Sequence, residues 1–105
     1  EPCNDVEGCL QDVHWSEGAF GYFPSYLIGH LISAQLTSQL EKDIGLIDQF
    51  IEKNDYQTII NWLKKNVHCH GRSLNAMELV KKVSGNELSS DFFLDYLKQK
   101  IDELN

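Results

Sequence analysis

Arginine occurs once in this chain, at Arg72, and nine basic residues face sixteen acidic ones for a net charge of −7. A phosphate backbone is held by clustered Lys and Arg, so nucleic acid is excluded as a partner, and an anionic lipid surface repels such a chain. The pairs Lys64-Lys65 and Lys81-Lys82 fall on helix-like stretches and read as solvated faces. Only two prolines are present, and seven glycines are too few for a collagen-like or low-complexity sequence. No apolar run approaches the roughly 20 residues that span a bilayer. No basic segment followed by an apolar stretch opens the sequence, so no secretory signal is expected. Cysteine is sparse and odd in number. Cys3, Cys9 and Cys69 make no disulfide framework, and reduced thiols in the cytoplasm are the plain expectation. His68-Cys69-His70 lacks metal-site spacing, because adjacent residues seldom chelate one ion and no CxxC or HxxxH accompanies them.

What is present is an ordinary globular composition, 42% hydrophobic and 24% charged, in 105 residues. That length suits one domain with a modest core and leaves little room for a complete catalytic cleft. Residue 1 is Glu rather than Met, which raises the expectation of a piece of a longer protein.

Periodicity predicts an all-α chain of about five helices behind an irregular N-terminal arm, residues 1–22, with residues 23–105 as scaffold. The arm carries Gly8, Gly18 and Gly21 and no sustained period beyond one helical turn. From Pro24, apolar residues recur at Leu27, Ile28, Leu31, Ile32, Leu36, Leu40, Ile44 and Ile47, a helical stripe broken at Gly45. A short helix from Leu46 to about Lys53 follows, and Asn54-Asp55 marks a turn. Tyr56, Ile59, Ile60, Leu63 and Val67 form the next face, with Gly71 as a left-handed cap. Asn75 and Glu78 have capping-box spacing and open a helix that Ser84-Gly85-Asn86 ends. Ser89 or Ser90 caps the last helix, with Phe93, Leu97, Ile101 and Leu104 expected inward.

Chemistry-bearing residues concentrate between positions 8 and 26. Gln11, Asp12, His14, Trp15, Tyr22 and Tyr26 share this stretch with three glycines, a density that a mere connector does not need. Asp12 and His14 are two apart, close enough for a carboxylate to orient an imidazole where the backbone turns. A fold-back at the glycines would bring His14 and the Tyr26 phenol to one cavity as donors for a developing oxyanion. From pattern alone Tyr22, Phe23 and Tyr26 are more often core aromatics than catalytic donors, and an isolated His is more often a structural hydrogen-bonding residue.

The string GCLQDVHW matches GxxQDxHW, a signature of the carboxypeptidase Taq family of metallocarboxypeptidases, with Gly8, Gln11, Asp12, His14 and Trp15 at the fixed positions. GYFPSYLIGHLISAQL, WLKKNVHCHGR and ELSSDFFLDYLKQK resemble later stretches of the same family in order and spacing, so the resemblance covers almost the whole chain. Two departures, Glu17 and His30, leave the motif intact. The resemblance implies the C-terminal part of a larger helical, gluzincin-type metallopeptidase that removes single residues from peptide C-termini. It implies zinc or another divalent metal, held by an HExxH helix and a later Glu. Neither is in this sequence, so no residue here is expected to bind metal, and the piece alone is expected to be inactive.

By resemblance to the thimet and neurolysin oligopeptidases, where a His is followed twelve residues later by a Tyr, His14 and Tyr26 are the expected catalytic hydrogen-bonding pair. Tyr22 is the competing phenol, and Gln11 and Asp12 contact substrate or support those that do. The implied partners are peptide C-termini and the upstream catalytic part of the same enzyme. A piece of a larger fold also leaves apolar faces bare, so the first long helix is expected to be partly exposed or to pair in a homodimer. A different class stays open: a helical interaction module that lacks catalysis.

Overall fold

In the computed structural model, which describes residues 3–104, six α-helices and two 3-10 turns follow one another with no strand among the described residues. The helices are α1 (Val13–Ser16), α2 (Tyr22–Ile44), α3 (Ile47–Glu52), α4 (Tyr56–Asn66), α5 (Ala76–Ser84) and α6 (Asp91–Leu104), with the 3-10 turns at Cys9–Gln11 and His68–His70. The one-turn α1 inside the arm brings the expected five helices to six.

Local chemistry explains most boundaries. Asp12 caps α1 and Asp55 caps α4, each accepting a backbone N–H of the first turn. The capping box at α5 is complete: Asn75 accepts from the Glu78 N–H at 3.0 Å, and Glu78 accepts from the Asn75 N–H at 2.9 Å. Gly45 ends α2 at φ +103°, a backbone conformation that side-chain-bearing residues rarely adopt. Both serines act before α6. The Ser89 hydroxyl accepts the Asp91 N–H at 3.1 Å, while the Ser90 carbonyl accepts the Phe93 and Leu94 N–H groups.

Two boundaries differ from the sequence reading. α2 begins at Tyr22, inside the expected arm, and takes Pro24 into its first turn, where the missing N–H has no intrahelical partner to lose. α4 stops at Asn66, and the His68–His70 turn intervenes before Gly71, whose φ of +51° and ψ of −123° lie outside the left-handed helical cap.

The core lies along the C-terminal half of α2, which packs against α5 and α6, while α3 packs on α4. Leu40, Trp62 and Val80 are its buried apolar residues. Its centre is polar: Gln35 is fully buried on α2 and reaches across to the α5–α6 connection. The Gln35 amide donates to the Ser84 hydroxyl at 2.9 Å and the Glu87 carbonyl at 3.0 Å, and its oxygen accepts the Ser89 N–H at 3.0 Å. A second tie joins α4 to α2, where the Trp62 indole N–H donates to Asp43 at 2.8 Å. Buried polar atoms with partners on both elements specify one register between helices.

The inward face expected for α6 is largely bare. Phe93 packs, stacked against His30 with ring centroids 6.1 Å apart, but Leu97, Ile101 and Leu104 are 39%, 58% and 86% exposed. Leu27 and Ile28 of the α2 stripe are exposed as well. The radius of gyration is 17.5 Å, against about 13 Å for a compact domain of this length. The surface, 8041 Å², exceeds the about 6,000 Å² typical of a monomer of 12.0 kDa. The difference is the size of a large interface. No helix is long and apolar enough to cross a membrane among the described residues.

Candidate functional site

Asp12 does two jobs with one oxygen. In an extended conformation before α1, its Oδ1 accepts the His14 backbone N–H at 2.8 Å and lies 2.7 Å from His14 Nδ1. The cap therefore also orients the imidazole. With the carboxylate as acceptor the proton belongs on Nδ1, which leaves Nε2 as the ring's outward edge. The backbone hydrogen bond first, and the ring hydrogen bond second, hold the Asp12 carboxyl below its ordinary range.

The fold-back occurs at Gly18, whose φ of +73° lies in the left-handed region. Around it the Ala19 N–H donates to the His14 carbonyl at 2.8 Å, and the Tyr22 N–H donates to the Ala19 carbonyl at 3.1 Å. The turn lays the first residues of α2 against α1. His14 stacks on Tyr22 with centroids 4.6 Å apart and planes at 22°, and meets Phe23 edge-on at 5.1 Å. Trp15 flanks the group, 5.7 Å from Phe20 and 5.9 Å from Phe23. His14 stays 32% exposed, so the cluster is displayed at the surface.

Tyr26 sits one helical turn beyond Tyr22. Its hydroxyl donates to the Tyr22 hydroxyl at 2.9 Å, and this bond holds the Tyr26 proton and raises its pKa above the usual phenol value. Among the described residues Tyr26 makes no ring contact with His14; it joins the cluster through Tyr22. Gln11 is turned away, its amide donating to the Val6 carbonyl at 2.7 Å within the arm. Asp12, His14, Tyr22 and Tyr26 thus form one chain of contacts, and Gln11 stands outside it. Phe23, which holds the imidazole edge, carried no sequence signal beyond its place next to Tyr22.

A groove of about 470 Å³ between α2 and α6, lined by His30, Glu41, Phe93 and Tyr96 among others, includes none of this cluster. No group of three or more His, Cys, Asp or Glu among the described residues is placed to hold a metal ion.

The described chain is thus an all-helical scaffold that carries the GxxQDxHW residues on one displayed arm. The family profile described as Carboxypeptidase Taq (M32) metallopeptidase matches residues 1–101, and the chain belongs to that family. Carboxypeptidase 1 of Bacillus subtilis is 40% identical over 103 residues, covering 98% of this chain and 21% of that protein. Thermostable carboxypeptidase 1 of Pyrococcus furiosus is 39% identical over 94 residues, covering 90% and 19%. The namesake from Thermus thermophilus is 35% identical over 99 residues, covering 94% and 19%. The BsuCP crystal structure superposes with a TM-score of 0.79 at 40% identity, over 98% of this chain and 21% of that one. The chain therefore spans about a fifth of the length of the curated relatives it matches.

Proposed function

We propose that this chain is the C-terminal part of a metallocarboxypeptidase that hydrolyses the last residue from peptides, with residues 1–22 as an active-site arm and 23–105 as its scaffold. The Asp12-oriented imidazole of His14, stacked on a phenol at 4.6 Å, carries this reading. Such a pair is a preorganised hydrogen-bonding wall for the oxygen of a peptide carbonyl, where negative charge develops during hydrolysis. The neutral ring presents a lone pair at Nε2, and the imidazolium presents an N–H to an oxyanion.

The described residues do not fit a catalytic metal, and no step of the chemistry passes through one here. Zinc or another divalent ion belongs to ligands in the rest of the polypeptide. That remainder is also the partner for the bare faces of α2 and α6, because the chain spans a fifth of its relatives and exposes the area of a large interface. A cytoplasmic location and a homodimer belong to the same reading, the dimer being the competing cover for those faces.

The test is His14→Ala in the full-length enzyme. Turnover of a peptide substrate is expected to fall about a hundredfold, with bound metal unchanged by elemental analysis. Unchanged turnover overturns the assignment. The absence of a metal-ligating group among the described residues favours a second reading, a non-catalytic helical interaction module. An HExxH sequence upstream in the same reading frame would eliminate it.

A further inference from the structure

Beside the oriented imidazole the arm carries a continuous row of aromatic rings that ends in solvent. Phe23 meets His14 edge-on at 5.1 Å, Trp15 lies 5.9 Å from Phe23, and Phe20 lies 5.7 Å from Trp15. The row starts at the imidazole and runs outward, and Phe20 at its end is 65% exposed. Apolar rings left in water at the edge of a site are where an apolar part of a ligand gains most by docking. Charge decides which part of a peptide that is. Between residues 3 and 22 stand Asp5, Glu7, Asp12 and Glu17, and the first Lys or Arg of the sequence is Lys42, in the last turn of α2. A peptide's terminal carboxylate is held by a cation and repelled by such an arm. The last residue therefore lies on the side away from the arm, and the residue before it lies over the rings.

We propose that Trp15, Phe20 and Phe23 form the surface that receives the side chain of the substrate's penultimate residue, so that the enzyme selects peptides with a bulky apolar residue in that position. This rests on the carboxypeptidase reading above and names the substrate class for it. The carbonyl under attack belongs to the penultimate residue itself, and that residue's side chain starts on the adjacent Cα. With the carbonyl oxygen at His14, a Phe or Leu side chain is long enough to lie on Phe23 and Trp15, whereas Ala is not. A ring there meets Trp15 or Phe20 edge-on or offset, and a branched aliphatic chain covers their faces. A Glu in that position trades water for apolar rings and the arm's own carboxylates, and gains nothing.

The experiment uses the full-length, metal-loaded enzyme and two series of short peptides. One series varies only the penultimate residue among Phe, Leu, Ala and Glu, and the other varies only the last residue over the same set. Each is read as kcat/KM for release of the last residue. The wild type is expected to favour penultimate Phe or Leu over Ala about tenfold, with Glu poorest. Trp15→Ala and Phe20→Ala are each expected to lower the Phe-to-Ala ratio about fivefold, with the ranking of the last-residue series unchanged. Phe20→Leu keeps an apolar side chain and is expected to keep most of the ratio. A partly unfolded preparation lowers both values and leaves their ratio intact, so the ratio reports the surface and not the fold. The proposal is overturned by a wild type indifferent to the penultimate residue, by an unchanged ratio in both alanine variants, or by a shift that falls in the last-residue series instead. An unchanged ratio with a lower melting temperature overturns it too, and assigns the row to packing against the rest of the polypeptide. Failure of the underlying reading looks different: a wild type that releases no last residue from any peptide of either series sinks the carboxypeptidase assignment itself.

Discussion

The two halves of α2 are built on opposite plans. Every residue from 21 to 30 is exposed, while residues 31–44 hold the core of the chain. Apart from His30 at its end, which stacks on Phe93, the N-terminal half and the arm before it interact over short separations: Asp12 with His14, His14 with Tyr22, Tyr22 with Tyr26. The C-terminal half is tied by Gln35 to residues 49 to 54 positions later. One half displays chemistry and the other anchors it. A site made of local contacts stands on a helix that is itself held from far away, so the display end can keep its geometry while leaving its polar edges open for a ligand.

The sharpest way to break this division is Gln35→Ala. The Ser89 N–H and Glu87 carbonyl would lose their shared buried partner, so stability should fall by about 3 kcal/mol, read as a lower midpoint in urea. The local contacts of His14 should survive under folding conditions, read from its ring resonances. Loss of those contacts at low denaturant would show that the halves are not independent.

A smaller effect is expected from Asp12→Asn at the display end. The amide still caps α1 but no longer supplies a carboxylate to Nδ1. Turnover in the full-length enzyme should drop about tenfold with little change in melting temperature. A large stability loss instead would make Asp12 an anchoring residue.

The smallest effect concerns pH. Because His14 holds the Asp12 carboxyl below its ordinary value, that contact contributes stability above the unfolded carboxylate pKa. The contribution is lost as pH falls through the lowered folded value. The His14 ring resonance should therefore report a contact that breaks only at pH values below the ordinary carboxylate range. Loss at or above that range would contradict the geometry.

Legibility followed sequence separation. The Asn75–Glu78 box, the Gly45 break and the Asp55 turn were readable because each is a cap or turn made within a few residues. The motif residues and a fold-back at the glycines, which falls at Gly18, were readable for the same reason. Gln35 was not, since nothing about a glutamine within an apolar stripe announces that it will be fully buried. The α6 periodicity was read correctly as helical and wrongly as inward at Leu97, Ile101 and Leu104. An apolar stripe states that a face wants cover, and not which chain supplies it.

The sequence by itself therefore determined the helices, their caps and the cluster of an amide, a carboxylate, an imidazole and two phenols near one turn. All of these are set by spacings of a few residues, where backbone geometry leaves few alternatives. Only the tertiary structure decided that Tyr22, rather than Tyr26, lies against His14, that Gln11 turns away, and that Gln35 pins α2 to the α5–α6 connection. Those outcomes depend on which faces meet across a turn or a bundle, and packing between elements settles that question beyond the reach of local periodicity.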